Sequence, residues 1–355
     1  MRVRYRVDGT LNDVLSLPSA MGPTLISRIK IMASMNIVER RRSQDGQFTT
    51  MIDGRELDVR VATGNTIRGE TAVLRLLDKT RGLYKLGQLG IPPEPHGVLS
   101  RMVRSPFGMV VCAGPTGSGK TTTLYAALAE INTPERNIMT VEDPVEYVVA
   151  GINQTQINQT ADITFAGGLK SILRQDPDVI LVGEMRDVET ARIAVQSALT
   201  GHLVLSSIHA TDAVAALLRF LDMGIENFLV ASSVLAVVGQ RLVRKICEAC
   251  AVPFTPSPEE LAFYAQADGP RKKEFFHGAG CNFCTHTGYQ ERIGVYEVLV
   301  IDEQLRKLIV RGADADEFRS FAISSGMRTL RDEGLRLVSE DVTTIAEILR
   351  TIYVA

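Results

Sequence analysis

The residues Gly114-Pro115-Thr116-Gly117-Ser118-Gly119-Lys120-Thr121 have the types and spacing of a loop that wraps a chain of phosphates. Its glycines let the backbone curl so that N–H groups point inward. A helix starting just behind them adds the positive end of its dipole. In such a loop Lys120 reaches the β- and γ-phosphates and Thr121 ligates Mg²⁺, with Thr122 beside it in the nucleotide-contacting set. The flanks agree. Met109 to Ala113 is an apolar run that reads as a buried strand, and Thr122 to Leu128 reads as the first turns of a helix. With strand, Lys-Thr and helix in sequence, an ordinary glycine-rich turn is the weaker reading.

Splitting a phosphoanhydride also needs a metal ion, a group that positions or deprotonates water, and positive charge for the transition state. Val179-Ile180-Leu181-Val182 runs into Gly183-Glu184, an acidic strand end that can bind Mg²⁺ through a water. Asn137 to Val141 runs into Glu142-Asp143, and we expect Glu142 to be the base that primes the attacking water. His209 closes the strand His202 to Ile208, and Asp212 then offers a helix N-cap. A strand-tip histidine can sense the γ-phosphate, whereas His202 is as readily a structural residue. Lys170 and Arg174 are four apart on an expected helix and share a face there, which ordinarily means a solvated surface. Arg60 and Arg75, on two early strands, carry no signal of their own.

A second pattern is Cys247-x-x-Cys250, thirty residues, then Cys281-x-x-Cys284. Two such knuckles supply four thiolates for tetrahedral Zn²⁺ with no position left open for catalysis. A redox-active pair is the rival, but two pairs in one small module favour metal. The fifth cysteine, Cys112, lies in the strand before the phosphate loop and reads as packing.

These residues need elements to position them. A chain of 355 residues, 45% hydrophobic, has room for two or three cores. Its net charge of −2 argues against a surface built mainly for nucleic acid. The start of the chain alternates like a strand and not like a signal peptide, and the apolar stretch 228–238 is too short to span a bilayer, so a cytoplasmic setting is expected. Residues 1–92 read as a small α/β domain, with strands at 2–7, 46–50, 57–61 and 71–77, a helix over 23–35, and turns at Asp8-Gly9 and Asp53-Gly54. The prolines at 92, 93 and 95 suggest a linker over 93–103. Strands alternating with helices over 104–245 predict a parallel sheet covered on both faces. A tetracysteine module over 246–290 and short amphipathic helices over 291–355 complete the chain.

The chain resembles the motor ATPases of type II secretion and type IV pilus assembly over nearly its whole length. The resemblance is carried by residues 138–147 (IMTVEDPVEY), 171–178 (SILRQDPD), 182–187 (VGEMRD) and 200–206 (TGHLVLS). They match that family's Asp box, the segment before Walker B, Walker B itself and the His box. The resemblance implies a PAS-like N-terminal domain linked to a RecA-like ATPase domain, in a homo-hexameric ring peripheral to the inner membrane. It implies platform and adaptor proteins as partners, with ATP, Mg²⁺ and Zn²⁺ as cofactors. It assigns Glu142 the catalytic role, Glu184 the Mg²⁺ role, and His209 and His202 the His box. It further implies that Arg60, Arg75 and Arg174 approach the nucleotide, while Lys170 stands where many members have arginine. The cysteine module is similar to that of the secretion and pilus-extension branch, which pilus-retraction motors lack. Members of that branch usually carry a further N-terminal domain for membrane partners, and none precedes Arg2 here, so platform docking is the weaker expectation. Two other readings are a RecA-like DNA or conjugation motor, and a scaffold that binds nucleotide without hydrolysing it.

Overall fold

The computed structural model describes residues 1–78, 83–158, 161–265 and 272–352. Parts of the expected 1–92, 104–245, 246–290 and 291–355 segments therefore fall outside the described residues. The chain divides into two units, Met1–Gly82 and Leu83–Ala355.

In the first unit, β1 (Arg2–Val7) and β2 (Thr10–Ser16) form a hairpin. Helix α1 (Gly22–Met32) follows, then the antiparallel strands β3 (Gln44–Ile52), β4 (Arg55–Thr66) and β5 (Gly69–Asp78). Both tight turns place consecutive residues at positive φ, Asp8 and Gly9 in one and Asp53 and Gly54 in the other. That twist matches the strands they join. The core is small, with Ala33, Val59 and Val61 buried and Ile29, Met35 and Phe48 packed around them. Lys30 is buried too, donating to the Glu39 carbonyl at 2.7 Å and pairing with Glu70.

The first α-helix of the second unit is α2 (Pro93–Val103), where a linker was expected. Proline is tolerated in a first helical turn, because the missing N–H has no intrahelical acceptor there. Leu99 and Val103 then fix the helix to the core of this unit. Burying such a side chain contributes about 1.5–3 kcal/mol, enough to outweigh the turn-forming tendency of the prolines.

The central sheet has seven strands among the described residues. They are β6 (Gly108–Ala113), β7 (Ile138–Glu142), β8 (Ile152–Gln156), β9 (Val179–Val182), β10 (Leu203–Ile208), β11 (Val234–Ile246) and, after the small β12 (Ala251–Phe254) and β13 (Phe275–Gly278) pair, β14 (Tyr289–Val300). The order is β14-β11-β6-β10-β9-β7-β8, parallel throughout except for β14 against β11. Residues of β14 lie in the segment expected to be helical. Its run of β-branched and aromatic residues from Ile293 to Val300 is a buried-strand pattern, and it pairs with β11 in register Gly239↔Glu297.

Both faces of this RecA-like sheet are covered. One face carries α4 (Phe165–Ile172), α5 (Val188–Leu199), α6 (Ala213–Asp222), α7 (Asn227–Ser233) and, beyond α8 (Pro258–Ala265) in the chain, α9 (Glu303–Arg311) and α10 (Ala315–Ser324). The other carries α2 and α3 (Lys120–Ile131). A third core joins β11 and β14 to α8, α11 (Leu330–Ser339) and α12 (Ile345–Thr351). Because β6, β7, β9 and β10 are parallel, their C-terminal tips lie along one edge of the sheet, where open α/β sheets bind ligands.

Candidate nucleotide site and cysteine centre

At that edge the phosphate loop joins β6 to α3. Gly117 and Gly119 have φ of 80° and 91°, the left-handed region that favours glycine. A Cβ on Gly114 would fall 2.3 Å from Ser118 Oγ and 2.7 Å from the Gln240 carbonyl, so only glycine fits. Gly119 caps α3 without a side chain, leaving the first N–H groups of the helix for an anion. Lys120 Nζ donates to the carbonyls of Gly114 at 2.8 Å and Pro115 at 3.1 Å. Burial holds the lysine below its ordinary value, and the negative charge of Glu184 works against that shift. Thr121 is exposed in the first turn of α3.

The two acidic strand tips differ. Glu142 is 3% exposed. Tyr125 Oη donates to its Oε2 at 2.6 Å, Thr140 Oγ1 to its Oε1 at 2.6 Å, and Gln154 Nε2 to the same oxygen at 3.3 Å. Glu184 is more open and pairs with the exposed Arg186. His209 Nε2 lies 3.4 Å from its other oxygen. Gly183 lets the β9 tip pass close to β7, where a Cβ would meet Glu142 Cα at 3.3 Å.

The fold thus gathers Lys120, Glu184 and His209, with Glu142 on the neighbouring strand. His202 does not join them. It precedes β10 at the opposite end of the sheet, about 20 Å away along the strand, and its Nδ1 lies 3.0 Å from the Ser197 carbonyl. The expected face shared by Lys170 and Arg174 is also absent, because α4 ends at Ile172 and Arg174 lies in the following turn. Lys170 instead pairs with Glu189 at 2.6 Å, both exposed. In the first unit Arg60 and Arg75 face each other directly across β4 and β5. They lie on the side of the sheet opposite Val59 and Val61.

Sequence reasoning missed several residues of this site. Gln240 on β11 donates Nε2 to the Ser118 carbonyl at 2.7 Å, bracing the phosphate loop from a strand 122 residues away. Arg241 is tied to the carbonyls of Gln240 and Thr211 at 3.2 and 2.7 Å. Burial lowers its pKa, with Asp212 and Glu297 opposing. Glu297 on β14 accepts from the N–H groups of Ala213 at 3.0 Å and Leu330 at 3.1 Å, capping α6 and α11 together. Only Arg186 had a local signal, two residues after Glu184.

The four paired cysteines converge as their spacing implied. Their Sγ atoms all lie within 4.8 Å of one another. Three of the separations are 3.7, 3.8 and 3.9 Å. Disulfide sulfurs sit at about 2.05 Å, whereas four sulfurs about 2.3 Å from a tetrahedral Zn²⁺ are about 3.8 Å apart. The donor set therefore fits zinc. Burial opposes ionisation of Cys284, yet N–H groups of Cys281 and Gly288 and the neighbouring thiols bring it down to about 6. Cys112 is buried between the layers, and burial pushes its thiol up to about 12.

The family described as type II/IV secretion system protein matches residues 1–350. Type II secretion system protein HxcR of Pseudomonas aeruginosa is 48% identical over 348 residues, covering 98% of this chain and 70% of that protein. Type II secretion system ATPase E of Vibrio cholerae is 45% identical, covering 99% and 69%. The type IV pilus assembly ATPase PilB of Thermus thermophilus is 43% identical, covering 99% and 40%. Among solved structures, the Legionella pneumophila ATPase DotB superposes with a TM-score of 0.70 at 19% identity over 98% of this chain and 89% of that one, a likeness of fold. With the match running almost end to end, the chain belongs to the type II/IV secretion system protein family.

Proposed function

We propose that this chain is a Mg²⁺-dependent ATPase motor that drives type II secretion or type IV pilus assembly, working as a homo-hexamer at the cytoplasmic face of the inner membrane. ATP hydrolysis and the secretion or pilus role accord with the family and with the relatives' activities. The observation that carries the reading is the phosphate loop facing two acidic strand tips along one sheet edge. Lys120 and the first turn of α3 bind the phosphates, Thr121 and Glu184 hold Mg²⁺, and Glu142 primes the water. His209 beside Glu184 positions the terminal phosphoryl group. Arg60 and Arg75 form an anion-binding pair on the first unit, and Arg174 adds positive charge to the nucleotide. A membrane platform protein and an adaptor are the partners. Among the described residues no helix is long and apolar enough to cross a membrane.

Lys120→Ala is expected to reduce ATP turnover by roughly 10²–10³-fold, read as phosphate release, and sedimentation with nucleotide should show hexamers. Turnover at the unmodified rate would refute the site. Zn²⁺ in the Cys247, Cys250, Cys281 and Cys284 cluster closes the module. Its removal by a chelator, with Mg²⁺ then restored, should lower the melting temperature by about 4 °C or more. Metal analysis should give one zinc per chain.

A further inference from the structure

The three donors around Glu142 come from different places. Thr140 is on the same strand, two residues back, and Gln154 lies opposite it on β8 in the register Thr140↔Gln154. Both therefore move with Glu142. Tyr125 does not, because it belongs to α3, the helix whose first residues are Lys120 and Thr121. Its hydroxyl donates to Glu142 at 2.6 Å and accepts from Gln154 at 3.1 Å, and its ring packs edge-on against Tyr147 with centroids 5.7 Å apart. Burial and the adjoining carboxylate push the phenol well above its ordinary value, so it stays a donor. A base must turn a lone pair toward water, and at 3% exposure with three donors Glu142 has little freedom to do so.

We propose that Tyr125 is a positioning residue that restrains Glu142 and ties its release to the grip of the phosphate loop. The proposal rests on the reading of Glu142 as the water-priming base. Phosphates draw on Lys120 and on the N–H groups that open α3, so any shift of that helix acts on the Tyr125 hydroxyl about one and a half turns further on. Of the three contacts, this is the one that a nucleotide can loosen without disturbing the sheet.

The test uses the whole chain and compares Tyr125→Phe, Glu142→Gln and the double variant in ATP turnover at saturating Mg²⁺. Loss of the hydroxyl is expected to raise kcat roughly three- to tenfold with KM within about twofold. The double variant is expected to be as inactive as Glu142→Gln. A kcat at or below the unmodified value, with Glu142→Gln inactive, overturns the role of Tyr125 and leaves the base assignment standing. Full turnover by Glu142→Gln removes the base assignment and the proposal with it. Should Tyr125→Phe fold poorly, 3-fluorotyrosine placed at position 125 reads the same contact. A ¹⁹F shift on adding Mg²⁺ and a non-hydrolysable ATP analogue supports the proposal, and an unmoved line overturns it.

Discussion

Two adjacent strands end in a glutamate, and their surroundings could hardly differ more. At the β7 tip, Glu142 is sealed among uncharged donors from α3, β7 and β8. At the β9 tip, Glu184 faces an arginine and a histidine whose side chains are 61% and 46% exposed. Sealing with neutral hydroxyl and amide groups keeps a carboxylate in one place and shields it from stray cations. Exposed cationic partners are held weakly and can be exchanged for a metal ion. The pair teaches that a strand-end acid acquires its role from what the fold places around it.

The comparison can be broken most sharply at the sealed tip. Glu142→Gln is expected to lower kcat by roughly 10²–10⁴-fold while leaving nucleotide affinity unchanged, and no Mg²⁺ concentration should rescue it. Glu184→Gln is expected to cost roughly 10–100-fold, seen as a raised Mg²⁺ requirement and partly recovered at high Mg²⁺. Equal rescue of both variants in a Mg²⁺ titration would erase the distinction between the tips. Stability should sharpen it further. Thr140→Val removes a donor from a buried carboxylate and is expected to cost about 1–3 kcal/mol in urea unfolding. Arg186→Ala breaks an exposed pair at the open tip and should change stability by less than about 0.5 kcal/mol.

How much of this was legible beforehand follows from the range over which each interaction acts. The phosphate loop, the acidic strand ends and the paired cysteines are local words, since the chemistry depends on neighbours in sequence. Both glycine turns of the first unit were legible for the same reason. Tertiary partnerships were not. Gln240 reaches Ser118 because β11 lies beside β6 in the register Gly239↔Ala113, which no window of sequence contains. Tyr125 reads as one more apolar position on α3 until β7 is laid against it. The prolines before α2 misled in the other direction, because a linker and a first helical turn share the same residues until burial of Leu99 and Val103 decides. His202 had a motif in its favour, and the parallel direction of β10 places it at the wrong end of the sheet.

Strand β11 has a mechanical consequence. It is 13 residues long, roughly 43 Å of extended backbone. Gln240 braces the phosphate loop, Arg244 is clamped to Glu347 on α12 at 2.7 Å, and Cys247 follows directly after its last residue. One continuous strand therefore runs from the phosphate loop to the sulfur cluster, with a register shift between Arg244 and Ile246 just before the cysteines, so a displacement of the loop is carried along the strand and can be turned at that irregularity. The cysteine module sits at the far end of that strand.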